Sequence, residues 1–209
     1  MIRNIIFDFD GTIADDLNLV FEVINSLSKK YHYKKINQKV IEDFRKNGGR
    51  SLFENLGIDK IKLPLLVNDI RVGLSRFIEN ARPQNDIKNI LELLDSKNYN
   101  LGILTTNSKT NVEKFLQRNG IKVFNYIYHG SGVFGKSVLL KKLLKAQKIS
   151  AKESLYIGDE DRDIVAARET KIKFIAVSWG FNSKELLKQN NPDYLIDNPS
   201  QISKIVEQL

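Results

Sequence analysis

The chain has 209 residues, no cysteine and a formal net charge of +8 at pH 7. The lack of cysteine excludes disulfides, thiolate metal sites and cysteine nucleophiles, and it agrees with a reducing compartment. No apolar run is long enough to span a membrane, and Met1 leads into a strand-like segment without the pattern of a signal peptide. We therefore expect a cytoplasmic protein that has no membrane partner.

The excess of basic residues does not indicate a nucleic-acid partner. Lysines recur in every helical segment, and in the helix predicted at residues 137–148 they fall largely on the side opposite the leucines. No basic block alternates with aromatic side chains, as it does in proteins that bind single strands. A solvated helix face accounts for these lysines, so we expect no nucleic-acid partner.

The chain opens with an apolar segment that ends in two acids. Residues 5–7 are β-branched or aromatic, and Asp8, Asp10, Gly11 and Thr12 follow them. If this run is a strand buried on both faces of a parallel sheet, its carboxyl end lies where open α/β sheets bind ligands. Two carboxylates this close raise each other's pKa unless a cation compensates, and Mg²⁺ prefers hard oxygen ligands. The segment therefore predicts a magnesium site.

A helical region follows at residues 16–81. Apolar residues recur there at helical spacing, glycines separate the segments, and the last helix is predicted at residues 63–80. No convincing strand interrupts the region. We predict a small helical bundle, inserted into a core domain that consists of residues 1–15 and 82–209.

From residue 82 onward, short apolar runs alternate with helical stripes. Strands are predicted at residues 101–104, 123–128, 155–157, 174–177 and 194–196. Strands that alternate with helices indicate a parallel sheet with right-handed crossovers. The predicted fold class is therefore α/β, with a Rossmann-like core.

Polar residues follow three of the predicted strands. Asp8, Thr106 and Asp159 each lie at the carboxyl end of an apolar run, and Lys136 precedes a predicted helix in a loop that leaves the same edge. Because parallel strands bring these ends together, we expect the side chains to meet. Acids, a hydroxyl and a lysine at one place suit phosphoryl transfer, which is mostly positioning and charge neutralisation.

These residues also carry a resemblance to a known family. The run Asp8-Phe9-Asp10-Gly11-Thr12 resembles the first motif of the haloacid dehalogenase superfamily. Thr106 resembles its second motif, Lys136 its third, and the run Gly158-Asp159-Glu160-Asp161-Arg162-Asp163 its acidic fourth. The four motifs occur in the family's order and span nearly the whole chain.

The resemblance extends to one branch of the superfamily. Residues 177–180 and 192–196 are similar to the tail of phosphoglycolate-phosphatase-like members, and the inserted helices match what that branch calls a cap. The implied fold is a Rossmann-like core with an inserted α-helical cap domain at residues 16–81. One departure is that residues 169–172 lack the glycine that the family places before the next strand.

The resemblance implies a Mg²⁺-dependent phosphatase that hydrolyses a small, phosphoglycolate-like phosphomonoester. It implies that Asp8 attacks phosphorus to form an aspartyl-phosphate, and that Asp10 protonates the leaving oxygen and then activates water. The implied metal ligands are the Asp8 carboxylate, the Asp10 carbonyl and Asp159, with Asp163 acting through a water or a hydrogen bond.

The resemblance also implies which residues hold the substrate. The expected substrate-binding residues are Asp8, Gly11, Thr12, Thr106, Asn107, Lys136 and Arg50. Thr106 and Lys136 are also expected to be catalytic. Arg50 comes from the basic corner between two cap helices, where a guanidinium would pair with an anionic part of the substrate. The alternative for Arg50 is a helix end that faces solvent.

Other interpretations of these residues remain open at this point. Asp8 and Asp10 are also typical of turns and helix caps. Thr106 is also typical of a turn after a strand, and its neighbour Thr105 is the residue with which it is most easily confused. Lys136 also fits the surface of a lysine-rich chain.

Other functions also remain open. A phosphomutase of the same fold would keep all four motifs, and a non-catalytic receiver-like or phosphate-binding protein would keep similar charges. A dehalogenase would not need Asp10. The expected assembly is a monomer or homodimer.

Overall fold

The computed structural model describes residues 1–76, 78–130 and 135–209, apart from the side chains of Arg50, Ser51, Phe53, Glu54, Lys60 and Glu79. Its strands are β1 (Asn4–Phe7), β2 (Ala14–Asp15), β3 (Arg82–Pro83), β4 (Asn100–Thr105), β5 (Tyr126–His129), β6 (Ser154–Gly158), β7 (Lys173–Val177) and β8 (Tyr194–Ile196). Its helices are α1 (Leu17–Tyr31), α2 (Gln38–Asn47), α3 (Gly49–Leu56), α4 (Leu63–Leu74), α5 (Ile87–Ser96), α6 (Lys109–Arg118), α7 (Lys136–Gln147), α8 (Asp161–Thr170), α9 (Lys184–Gln189) and α10 (Gln201–Val206).

Among the described residues, six strands form one parallel sheet in the order β5-β4-β1-β6-β7-β8. The first strand, β1, is therefore central. Its residues alternate between two hydrophobic clusters, with Ile5 and Phe7 in one and Ile6 in the other. A strand buried on both faces has a continuous apolar sequence, which is why the sequence pattern located it. The prediction of an α/β fold with a Rossmann-like core is confirmed.

Four helices, α1 to α4, are inserted between β2 and β3, which pair with each other in antiparallel fashion. These helices enclose a hydrophobic cluster that includes Phe21, Ile24, Phe44 and Leu52. Phe181, from the loop after β7, joins the same cluster, and its ring centroid lies 6.2 Å from that of Phe44. The helices therefore rest on a loop at the carboxyl end of the sheet. We propose residues 16–81 as the cap domain.

Two elements differ in extent from the sequence prediction, and two short strands were not predicted. The helix predicted at 63–80 ends at Leu74, and a short 3₁₀ turn is described at Ile78–Asn80. The strand predicted at 123–128 starts only at Tyr126, after an asparagine that disfavours strands. The strands β2 and β3 have two residues each and leave no periodicity to detect.

The helix α8 ends without the glycine that the family resemblance led us to look for. Lys171 takes the left-handed conformation there, with φ of 59°, and its N–H donates to the carbonyls of Ala167 and Arg168. This conformation costs a residue with a Cβ atom about 1–2 kcal/mol, and glycine avoids that cost. The turn therefore has the left-handed geometry of a glycine turn, although a lysine occupies the position.

Candidate active site

Asp8 directly continues the central strand and is buried. Its N–H donates to the carbonyl of Ile157 at 2.8 Å, so the pairing between β1 and β6 extends to this residue. The carboxylate Oδ1 accepts the N–H of Phe9 at 2.8 Å, and Oδ2 accepts Lys136 Nζ. The Asp8 side chain is 3% exposed, and that of Lys136 is 2% exposed. The two residues, 128 positions apart in the sequence, form one buried ion pair.

Lys136 also binds the last acid of the fourth motif. Its Nζ lies 2.6 Å from Asp163 Oδ1, which also accepts the hydroxyl of Tyr156 at 2.9 Å. Asp163 Oδ2 accepts the N–H of Glu160 at 3.2 Å at the start of α8. Lys136 is the first residue of α7, one position later than Gly135, whose φ of 87° turns the chain into the helix. This turn directs the lysine between Asp8 and Asp163.

Asp10 lies beside the segment that follows β4. Asn107 Nδ2 donates to Asp10 Oδ1 at 2.6 Å, and the hydroxyl of Thr105 lies 3.4 Å from Asp10 Oδ2. The amide of Asn107 is itself held by Asn111 Nδ2 at 2.9 Å. Among the described contacts, Thr105 and Asn107 bind Asp10, whereas Thr106 does not, since alternate residues of an extended chain point in opposite directions. The role expected for Thr106 stays a prediction.

Asp159 is held between two loops. Its Oδ1 accepts the hydroxyl of Thr12 at 2.6 Å, and its Oδ2 accepts the N–H of Phe181 at 2.7 Å. Gly11 and Gly180 lie so close that a Cβ atom on either would collide with the Asp159 carboxyl. Thr12 is fully buried, so the structure brings it to Asp159. Its expected contact with substrate stays a prediction.

A group of three carboxylates meets the requirements of a cation site. Among the described residues, Asp8, Glu160 and Asp163 each offer an oxygen within 4.8 Å of the others. Glu160 had no place among the expected ligands, because its position in the sequence fits a helix N-terminus equally well. Asp159 does not belong to this described group of three. Carboxylate oxygens are the ligands that hard divalent cations prefer, so the donor set fits such an ion.

The electrostatics of the site support the same conclusion. Burial raises the pKa of Asp8 from 3.8 to about 8, since the attraction of Lys136 only partly offsets burial and the repulsion of Asp163. Burial, Glu160 and Asp8 raise the pKa of Asp159 well above its usual range. Burial alone would lower the pKa of Lys136, but the carboxylates of Asp163 and Asp8 reverse this effect and raise it. Without a further cation, the buried carboxyls of Asp8 and Asp159 therefore lose their protons less readily than free ones.

These shifts predict how the stability of the metal-free protein, kept in a chelator, depends on pH. A carboxyl whose pKa is raised to about 8 on folding stabilises the protein below its ordinary pKa, and this contribution is lost as the pH rises through 8. We expect the thermal midpoint in a chelator to fall between pH 5 and pH 8.5, and an added divalent cation to remove most of the fall. Calorimetry of the wild type and Asp8→Asn checks this. A midpoint that is unchanged by the metal at the higher pH would contradict it.

A pair of glycine substitutions tests the placement of Asp159. In Gly180→Ala the new Cβ meets the Asp159 carboxyl, whereas in Gly49→Ala the nearest described atom, on Phe44, lies 4.0 Å away. We expect Gly180→Ala to require about 10- to 100-fold more metal for half-maximal activity, which is typical when a metal site loses its support. Gly49→Ala should behave as the wild type. Titration of the activity of each variant with metal measures this requirement. The same metal requirement in the two variants would show that activity does not depend on the position of the Asp159 carboxyl.

Two further residues support the site and were missed in the sequence. Asp16 is buried, its Oδ1 accepts the N–H of Gly11 at 3.0 Å, and burial beside Asp10 raises the pKa of its carboxyl. Asn182 accepts the N–H of Asp161 through Oδ1 at 2.8 Å. Only the fold brings these residues to the site, so the sequence carried no signal for them. The side chain of Arg50 lies outside the described residues.

Comparison with known proteins identifies the family. Residues 5–177 match the model of the haloacid dehalogenase-like hydrolase family. The chain belongs to this family. The predicted family and branch are therefore confirmed, as is the prediction of a hydrolase that acts on phosphate esters. No helix within the described part of this haloacid dehalogenase-like hydrolase is long and apolar enough to cross a membrane.

Individual members of the family are similar along their whole length. A phosphoglycolate phosphatase of Synechococcus elongatus is 31% identical over 206 residues, which cover 98% of this chain and 97% of the relative. The pyrophosphatase PpaX of Oceanobacillus iheyensis is 28% identical, with the same coverage. A haloacid dehalogenase-like family hydrolase of Streptococcus pneumoniae superposes with a TM-score of 0.82 at 26% identity, covering 98% of both chains. A predicted phosphatase from Clostridium acetobutylicum, at 19% identity and a TM-score of 0.87 over 100% of both chains, shares the fold.

Proposed function

We propose that this chain is a Mg²⁺-dependent phosphatase of a small phosphorylated metabolite, and that it works through an aspartyl-phosphate on Asp8. One observation carries the proposal: the buried Asp8 carboxylate pairs with Lys136, whereas the Asp10 carboxylate accepts a hydrogen bond from Asn107. The two acids thus have different environments, as a nucleophile and a proton donor require. The alternative of a lysine on the surface does not apply to Lys136, whose side chain is 2% exposed.

Each protein group has its own part in the reaction. Asp8 attacks the phosphorus atom and forms a bond to it through a carboxylate oxygen, while Asp10 protonates the oxygen that leaves. Asp10 then takes a proton from the water that cleaves the acyl-phosphate, and free Asp8 returns. Lys136 neutralises the charge that Asp8 and the phosphoryl oxygens share, and Asn107 keeps the Asp10 carboxyl in place.

Mg²⁺ would complete this arrangement. The Asp8 carboxylate, the Asp10 carbonyl and Asp159 would hold it, with Glu160 and Asp163 close by. When bound, the ion would neutralise negative charge on the phosphoryl group and on the buried carboxylates. The group of buried carboxyls described above supports a divalent cation, which would favour their charged forms, and the preference of Mg²⁺ for oxygen ligands supports its choice.

Phosphoglycolate is the first substrate to test, because the similar protein of Synechococcus elongatus is named a phosphoglycolate phosphatase. Pyrophosphate is the second, since another relative is named a pyrophosphatase. A screen of phosphorylated metabolites should be run with Mg²⁺, with a chelator, and with Asp8→Asn. We expect release of inorganic phosphate only from the wild type with metal. Conversion of a sugar phosphate to its isomer without release would favour the phosphomutase, and release in the chelator would contradict the proposal.

A further inference from the structure

Asp16 is a buried acid that the mechanism described above does not use. It immediately precedes α1, the first cap helix, and it is 1% exposed. An aspartate at the N-cap position of a helix usually accepts an N–H of the first turn through its side chain. The Asp16 side chain makes no such hydrogen bond. Helix capping therefore does not explain why a carboxyl is buried here.

The Asp16 carboxyl is directed instead to the turn that follows Asp10. Its Oδ1 accepts the N–H of Gly11 at 3.0 Å, and Gly11 has φ of 74°, which a residue with a Cβ atom rarely adopts. Its Oδ2 is buried and has no hydrogen-bond donor among the described atoms. A buried polar atom without a partner destabilises a fold, so stability alone does not favour an acid at this position.

The Asp10 carboxyl is the neighbour of the Asp16 carboxyl. Burial raises the pKa of Asp16, and Asp10 raises it further by its charge and through a hydrogen bond between the two side chains. Two ionised carboxylates can only accept hydrogen bonds, so Asp16 lacks a donor other than Gly11 until Asp10 carries its proton. Under the proposed function, Asp10 carries a proton when it acts on the leaving oxygen. The Asp16 carboxyl is then its hydrogen-bond acceptor.

Asp10 is thus contacted from two parts of the chain. Asn107, in the segment after β4, donates from Nδ2 to Asp10 Oδ1 at 2.6 Å, and Asp16 lies beside the same carboxyl at the start of the cap. A general acid must lie within hydrogen-bond reach of the oxygen that it protonates, so the orientation of its carboxyl decides how well it acts. Asp16 contacts both this carboxyl and the N–H of the next residue, Gly11.

We propose that Asp16 is a positioning residue for the general acid, which holds the turn at Gly11 and keeps the Asp10 carboxyl directed toward the leaving oxygen. The inference rests on the proposed phosphatase function and adds to it a residue for the step in which the leaving oxygen is protonated. The described hydrogen bonds of the Asp8 carboxylate do not include Asp16, so attack on phosphorus does not depend on it directly.

Substrates whose leaving groups differ in basicity test the proposal. Phenyl phosphate and 4-nitrophenyl phosphate differ by one nitro group. The nitrophenolate leaves with little help from an acid, whereas phenolate, and still more the alkoxide of phosphoglycolate, needs a proton. The quantity compared is kcat/KM, because it covers the steps up to departure of the leaving group and not the later attack of water. A loss that acts through Asp10 must therefore grow with the basicity of the leaving group.

Four variants and one control are compared on the three substrates with Mg²⁺ present. Asp16→Ala removes the carboxyl, whereas Asp16→Asn keeps an oxygen for the N–H of Gly11 and supplies an N–H group for Asp10. Asp10→Asn removes the acid itself, and Asp16→Ala is also made in that background. The control is Asp15→Ala, which removes the exposed acid next to Asp16 in the chain. Thermal unfolding checks that each variant is folded.

A positioned acid commonly contributes about 10²–10⁴-fold, so we expect Asp16→Ala to lower kcat/KM about 10- to 100-fold for phosphoglycolate and less than about twofold for 4-nitrophenyl phosphate. The loss for phenyl phosphate should lie between these values. Asp16→Asn should recover most of the loss, and Asp15→Ala should have no effect. In the Asp10→Asn background, Asp16→Ala should cost nothing further, because the two residues act as one unit. An equal loss on the three substrates, no loss, or the same loss in that background would overturn the proposal.

Nuclear magnetic resonance separates this proposal from the function on which it rests. In protein labelled at the amide nitrogens and the aspartate carboxyl carbons, Asp16→Ala should shift the resonances of the Gly11 amide and of Asp10 Cγ, whether or not a substrate is turned over. If the wild type releases no phosphate while both resonances shift, the phosphatase assignment fails and the contact of Asp16 with the turn stands. If the wild type releases phosphate and Asp16→Ala changes neither the resonances nor the dependence on the leaving group, the phosphatase assignment stands and the positioning role fails.

Discussion

Replacing Asp8 by asparagine is expected to lower kcat for phosphate release by about 10⁴-fold or more, while the protein stays folded. The amide has the shape of the carboxyl but cannot attack phosphorus. Lys136 keeps a partner, since its Nζ lies 2.6 Å from Asp163 Oδ1, so the variant leaves no buried charge alone. Release of inorganic phosphate from phosphoglycolate in Mg²⁺ measures the effect, and circular dichroism checks the fold.

The matched control for this variant is Asp15→Asn, which removes an exposed acid from the nearby strand β2. We expect it to keep wild-type activity, because its carboxyl faces solvent rather than the site. If Asp8→Asn kept a tenth or more of the wild-type kcat, the nucleophile would have to be another group, and the mechanism proposed for Asp10 and Lys136 would lose its basis.

Replacing Lys136 by methionine is expected to lower both activity and stability. Loss of one preorganised charge at a reacting group commonly costs about 10²–10³ in kcat. In addition, Asp8 and Asp163 lose their shared buried cation, and removal of one partner from a buried ion pair costs about 3–5 kcal/mol of unfolding free energy. Because the pKa of Asp8 is already raised to about 8, the acids can take up protons at low pH, so the destabilisation should be larger at pH 8.5 than at pH 5.5.

Urea unfolding in a chelator at the two pH values measures the stability of Lys136→Met. Lys141→Met is the control, since Lys141 lies in the same helix with its side chain 57% exposed, and surface pairs contribute at most about 1 kcal/mol. Equal losses of stability in the two variants, or a loss that does not depend on pH, would show that Lys136 does not balance the charges of Asp8 and Asp163.

The sequence predicted the sheet well because its strands are parallel and buried. The segments around Ile6, Ile103, Ile157 and Ile175 are continuous apolar runs, and each of these isoleucines is fully buried in the structure. Helix ends were less predictable. Ile78 follows Leu74 at helical spacing, so the apolar periodicity did not mark the end of α4 at Leu74.

The site likewise combines contacts set by strand order, which the sequence could predict, with contacts set by loop geometry, which it could not. The parallel sheet brings Asp8 close to Lys136 and Asp163, since Asp8 follows β1 and the other two lie in the first turns of α7 and α8, the helices that follow β5 and β6. The contact between Thr12 and Asp159 depends instead on a loop whose glycine has φ of 74°. Glu160 joins the carboxylate group because of how α8 starts, and many helices start with an acid for other reasons.

The stereochemical course at phosphorus tests the central claim most directly. In-line displacement inverts the configuration, so attack by Asp8 followed by attack of water on the aspartyl-phosphate must give net retention. The substrate for this test has a phosphoryl group made chiral with sulfur and oxygen isotopes, and it is hydrolysed in isotope-labelled water. The configuration at phosphorus of the released thiophosphate is then determined. Retention is the result we predict. Inversion would mean that water attacks the substrate directly, and it would contradict a covalent role for Asp8.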